Sequence, residues 1–208
     1  MIPSSTLTAF FAASVLLALA PGPDNIFVLT QSALRGRTAG LTVTLGLCTG
    51  LLGHTTAVAL GLAAVFQASA LAFTVLKLIG AGYLLYLAWQ AFRASSSDIR
   101  PEGGCNLSPW QLYRRGILMN ITNPKVSIFF LAFLPQFADP GLGSLTFQLM
   151  LLGGVFILAT LMVFSGIALL AGLLGRWLGR SQRAQRIMNW VAGCIFAGLA
   201  LKLATADR

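Results

Sequence analysis

The chain has 208 residues, 57% of them hydrophobic and only 9% charged, with a formal net charge of +9. A soluble domain carries about 25% charged residues, and the mean hydropathy here is +0.82. A net positive charge in a soluble protein points to nucleic acid. Here the basic residues fall in short segments between long apolar runs, so lipid headgroups are their natural partner and nucleic acid is set aside.

In chain order, the first apolar run ends in Ala18-Leu19-Ala20, a pattern that resembles a signal-cleavage site. No Lys or Arg precedes it, as a signal peptide requires, and Pro21 follows. The segment reads as the first half of a retained helix. No Asp, Glu, Lys or Arg lies between Arg37 and Lys77, or between Asp139 and Arg176. Charge-free apolar runs of about 18 or more residues read as membrane spans.

Six spans are expected, near residues 6–33, 39–66, 70–92, 113–137, 145–172 and 187–204. Short turns are expected at Gln67 and Ser69 and at Asp139, Pro140, Gly141 and Gly143. The longest connection, 93–112, holds Ser95, Ser96, Ser97, Pro101, Gly103 and Gly104 and is too short to be a domain. The expected fold is therefore all-α: one polytopic membrane domain over 1–208, with a first half to about 92 and a second from about 113.

Charge supports the same count. Arg35 and Arg37 lie in the first loop, Arg93, Arg100, Arg114 and Arg115 in the third, and Arg176, Arg180, Arg183 and Arg186 in the fifth. The second and fourth loops hold no Lys or Arg. The positive-inside rule puts the odd loops in the cytoplasm and both termini outside. Glycines concentrate inside the spans: Gly46, Gly50 and Gly53, then Gly80 and Gly82, then Gly193 and Gly198. Small residues let helix backbones approach in lipid, so their expected role is packing.

The two halves align on their proline breaks. Pro21-Gly22-Pro23-Asp24-Asn25 in the first span corresponds to Thr122-Asn123-Pro124-Lys125 in the fourth, with Pro23 on Pro124 and Asp24 on Lys125. Three spans per half is an odd number, so the second half enters the membrane inverted. Inverted repeats characterise many secondary transporters, whose sites lie between interrupted helices near the midplane. A proline removes one backbone N–H and clashes with the preceding turn, so Pro21 and Pro23 orphan carbonyls near Leu17 and Leu19, and Pro124 that of Asn120. Inside a membrane such groups require protein, water or ligand partners.

Asp24 is the one acid inside a span, where an ion is costly and marks function by default. It suits a substrate ammonium, or a carboxyl that alternates between protonated and ionised states and couples proton entry to export. Lys125 is its natural counter-ion. Asn25, Asn120 and Asn123 supply polar groups at the breaks, and His54, midway along the second span, suits either proton relay or neutral hydrogen bonding. Lys77 fits snorkelling toward an interface, and Tyr83, Tyr86 and Trp89 fit packing along one helix face. Cys48, Cys105 and Cys194 form no paired motif. No phosphate-binding loop and no cluster of metal ligands occurs in the sequence, so no cofactor, metal or catalytic residue is expected.

These motifs resemble the lysine-exporter superfamily and, within it, the homoserine/threonine-resistance branch. The matching pieces are Pro21 to Asn25; Gly46 to Gly50 with His54; Leu76-Lys77, Gly80, Tyr83-Leu84 and Tyr86-Leu87; and Asn120 to Lys125 followed by Leu134-Pro135-Gln136-Phe137. The resemblance implies proton-driven efflux of amino acids across a bacterial inner membrane. Thiol-electron carriers of the same superfamily place cysteines near the two breaks, where this chain has Asp24 and Lys125.

The expected function is thus export of small neutral amino acids such as threonine or homoserine by proton antiport. A zwitterion needs one anionic and one cationic partner, which Asp24 and Lys125 provide, whereas a dibasic substrate lacks a second acid. Export of basic amino acids or other metabolites, and a non-transport assembly role, are the alternatives. Expected partners are the substrate, protons and lipid, with room for a homo-oligomer.

Overall fold

A computed structural model describes residues 2–68, 70–94, 107–180 and 182–205. Its eight α-helices are α1 (Ser4–Leu19), α2 (Pro23–Arg35), α3 (Arg37–Ala68), α4 (Ala70–Arg93), α5 (Pro109–Ile121), α6 (Pro124–Ile128), α7 (Leu145–Arg180) and α8 (Gln182–Thr205). No strand occurs among the described residues.

Local chemistry sets the boundaries that matter for function. Pro21 ends α1, and Pro23 opens α2 at its first helical position, where a missing N–H is harmless. The two pieces meet at 63°. α5 starts on a reciprocal cap: Ser108 Oγ accepts from the Gln111 backbone N–H at 3.3 Å, and the Ser108 N–H donates to Gln111 Oε1 at 2.7 Å. It stops before Pro124, and α6 resumes at 49° with Asn123 as its N-cap, Oδ1 accepting from the Lys125 N–H at 3.0 Å. α6 then relaxes into a wide π turn over Phe129–Phe133 and a tight 3₁₀ turn over Leu134–Phe137. Pro135, which has no N–H to continue the ladder, sits at that second change.

Three segments are each long and apolar enough to cross a membrane: Arg37–Gly61, Leu145–Ala171 and Gln185–Thr205. Each bent pair, α1 with α2 and α5 with α6 to Phe137, is long and apolar enough when taken together, so the described residues hold three such spans, or up to five if each bent pair is one span. The expected third span is the 24-residue helix α4. Two expected loops are shorter than the charge pattern suggested. α7 continues to Arg180 and α8 begins at Gln182, so Arg176, Arg180, Arg183 and Arg186 lie on helices. Gln67 is likewise helical, inside α3, and Ser69 lies outside the described residues. A helix continues past the apolar segment because its backbone bonds are internal, so hydropathy marks where lipid ends and not where the helix does. Most of the 93–112 connection, and Cys105, also lie outside the described residues.

The helices pack α3 with α5, α4 with α8, α3 with α7, α1 and α2 with α7, and α2 with α3. A large apolar cluster includes Phe10, Leu51, Leu84, Phe129, Phe133 and Phe156. Phe129 contacts both Phe133 and Phe156 with ring centroids 4.9 Å apart, pairs that each contribute about 0.5–1.5 kcal/mol beyond area burial. A second cluster joins Val28, Val43, Leu47, Leu112, Phe164 and Ala168. The end of α2, the starts of α3 and α5, and the later part of α7 meet there.

The Arg35 guanidinium donates to the Leu107 carbonyl at 3.0 Å, and Asn189 Nδ2 donates to the Ala94 carbonyl at 3.3 Å. These contacts bring the end of α2 to the segment before α5, and the end of α4 to the first part of α8.

Close approach explains some of the glycines. A Cβ on Gly46 would fall 2.2 Å from the Tyr113 carbonyl oxygen, and one on Gly50 would fall 2.8 Å from Asn120 Cβ, so α3 and α5 touch backbone to backbone. Gly80 abuts Ala132 and Gly193 abuts Phe92. Gly53, Gly82 and Gly198 have nothing within 4 Å of such a Cβ, and no packing role follows for them.

Candidate functional site

The two helix breaks lie against each other in the bundle, and the interactions between them are reciprocal. Pro21 deprives the Leu17 carbonyl of its helical donor. The ammonium of Lys125, from the other break, donates to Leu17 O at 3.3 Å and to Ala20 O at 3.0 Å. A cation at a helix C-terminus is also favoured by the aligned peptide dipoles. Asn25 Nδ2 donates to Ala18 O at 2.7 Å, so the open end of α1 is closed largely by side chains. At the second break Pro124 deprives Asn120, whose carbonyl is met by His54 Nε2 at 3.3 Å and by the Asn123 N–H at 3.1 Å. The His54 ring also lies 5.6 Å from that of Phe130.

Asp24 and Lys125, expected as an ion pair, have other direct partners. Asn123 touches both residues. Its Nδ2 donates to Asp24 Oδ2 at 2.8 Å while its Oδ1 accepts from the Lys125 backbone. Asp24, Asn25, Asn120, Asn123 and Lys125 are all buried. Asp24 Oδ1, Asn25 Oδ1 and Asn120 Oδ1 have no hydrogen-bond partner, and the same holds for Gln31 Oε1 on α2 and Thr160 Oγ1 on α7. Buried acceptors without donors are costly at about 1–3 kcal/mol each, and three of the five, on Asp24, Asn25 and Asn120, belong to residues at or beside the breaks.

A cavity of about 590 Å³ opens beside the breaks. Pro21, Gly22, Pro23, Asn123, Pro124 and Lys125 form its floor. The rest of its lining includes Ile26 on α2, Tyr83, Leu87 and Gln90 on α4, Ala94 just after α4, and Asn189 and Phe196 on α8. Asp24, Asn25, Asn120 and His54 do not line it. The α4 and α8 residues were not assigned to a site from the sequence. Tyr83 was read as packing, and its ring does lie 6.0 Å from that of Tyr86. Asn189 and Gln90, amides at the edges of apolar runs, were the available signals.

Polar residues buried at paired helix breaks, a cavity reaching that depth and large apolar side chains such as Leu60, Leu71, Phe147 and Leu201 exposed on the bundle surface define a multi-pass membrane protein built around an internal site. Residues 15–207 match the LysE type translocator family, and the chain belongs to it. It is a translocator and not an enzyme. The chain is 35% identical to an uncharacterized membrane protein of Vibrio cholerae over 95% of its own length and 96% of the relative's. It is 34% identical to the homoserine/homoserine lactone efflux protein of Salmonella typhimurium over 95% of each. The leucine efflux protein of Salmonella choleraesuis is 25% identical over 94% of this chain and 93% of its own. No solved structure gives a significant match.

Proposed function

We propose that this protein exports small neutral amino acids, of the threonine, homoserine or leucine kind, across the bacterial inner membrane in exchange for protons. The observation that carries the reading is the cavity that reaches both proline breaks with Lys125 in its lining. Lys125 anchors the substrate carboxylate. Asp24, buried behind Asn123 and outside the cavity, is the proton-coupling group. The efflux activities printed for two relatives support the substrate class. Basic amino acids are disfavoured because, among the described residues, the cavity lining holds no Asp or Glu.

In this reading α4 is a sixth span and the chain is two inverted halves. The packing pattern supports it. Exchanging the halves turns the α3–α5 contact into that of α7 with α1 and returns the α4–α8 and α3–α7 contacts to themselves, while the α2–α3 contact has only a smaller counterpart between α7 and the Leu134–Phe137 turn. The arginine-rich junctions are cytoplasmic by the positive-inside rule. The cavity then opens inward, ready to load from the cytoplasm, and both termini are external.

Counterflow into proteoliposomes tests the substrate class. Vesicles loaded with threonine, homoserine or leucine should accumulate the labelled amino acid, and lysine loading should not. Accumulation driven by lysine or arginine alone would reverse the assignment.

A further inference from the structure

The chemistry of the cavity is one-sided. Among the described residues of its lining, Lys125 is the one formal charge, set in a floor of backbone and amide groups. An ammonium has three donors. Two of those on Lys125 go to Leu17 O and Ala20 O, at 3.3 Å and 3.0 Å, which leaves one N–H for a ligand. The side chains around the remainder are neutral. Ile26, Leu87, Met188 and Phe196 are apolar, while Tyr83, Gln90, Gln185 and Asn189 present a phenol and three amides. The carboxylate that would complement a ligand ammonium, Asp24, is buried outside the lining, with Oδ2 held by Asn123 at 2.8 Å.

Resting on the transport role proposed above, we propose that the cavity selects its ligand by the carboxylate and not by the ammonium, so that small 2-hydroxy acids are substrates alongside the amino acids. A carboxylate meets a buried cation, the strong kind of hydrogen bond. A ligand hydroxyl is satisfied by neutral amide and carbonyl groups. An ammonium in the same place meets the same neutral oxygens and no carboxylate, so it adds no ion pair to the one the ligand carboxylate makes. The two ligand types are of nearly equal size, so shape does not separate them.

Three relatives of one carbon skeleton form the test: leucine, its 2-hydroxy analogue 2-hydroxyisocaproate, and its decarboxylated amine isoamylamine. Each competes with labelled leucine in counterflow, and each is titrated against the purified protein for thermal stabilisation. The hydroxy acid should match leucine within about 10-fold, and the amine should be weaker by at least about 10-fold, the factor carried by one charged hydrogen bond. Lys125→Gln keeps donors for the α1 carbonyls and should weaken leucine and the hydroxy acid together. If the amine competes like leucine and the hydroxy acid does not, the ammonium is the anchor and the proposal is overturned while transport stands. If the hydroxy acid stabilises the protein through Lys125 but nothing moves in counterflow, transport fails and carboxylate recognition stands.

Discussion

Replacing Gly50 by Ala probes the contact that holds the two halves together at the site. The added Cβ would meet Asn120 at 2.7 Å from Oδ1, 2.8 Å from Cβ and 3.1 Å from Cγ, where ordinary contact is 3.4–4 Å. Asn120 Cβ is the root of its side chain and cannot rotate away, so α3 and α5 must part by roughly half an ångström or more. Overpacking of that kind costs about 1–3 kcal/mol. Against it stands the gain from Gly to Ala in a helix, about 0.5–1 kcal/mol. Gly53, one turn further along the same helix, has nothing within 4 Å and serves as the control because only the gain applies there. The difference between Gly50→Ala and Gly53→Ala therefore isolates the clash at about 1–3 kcal/mol, or roughly 2–12 °C in melting temperature for a chain of this size. Thermal unfolding of the detergent-purified proteins measures it. Transport by Gly50→Ala should also fall, because Asn120 carries the carbonyl that His54 meets. Equal melting temperatures and equal activity for the two variants would refute the close α3–α5 contact.

Lys125→Met removes the donors to Leu17 and Ala20. Each orphaned carbonyl costs about 1–3 kcal/mol, so the variant should melt lower than Lys125→Gln, by the same assay. His54→Ala should lose about 0.5–1.5 kcal/mol through the Asn120 carbonyl, and His54→Gln should recover most of it; if the Gln variant is stable yet inactive, His54 has a proton-relay role. Reporter fusions at Ser96 and at the C-terminus should report opposite sides of the membrane, and agreement between them would rule out six spans.

Proline chemistry made much of the site legible. Counting back from Pro21 and Pro124 named the Leu17 and Asn120 carbonyls as orphans, and these are the atoms met by Lys125 and His54. The direction of those side chains was not legible. Lys125 was expected on Asp24 because opposite charges attract, but the open end of α1 offers a partial negative charge of its own, and Asn123 bonds the Asp24 carboxylate. The cavity walls from α4 and α8 were hidden for a different reason. Tyr83, Gln90 and Asn189 are single residues on long apolar helices, and which face turns inward depends on packing that periodicity in lipid barely records. The extent of the helices around Ser181 escaped for the same cause, since arginines mark the edge of the hydrocarbon and not the end of a helix.

The measurement closest to the central claim is transport by purified protein in proteoliposomes with an imposed pH gradient and no membrane potential. Labelled homoserine or leucine should move against its own gradient, toward the acidic side, while protons leave that side. Asp24→Asn should abolish this uphill movement while counterflow at equal pH persists. Uphill transport that ignores the pH gradient, or an Asp24→Asn variant that still follows it, would contradict proton exchange at this site.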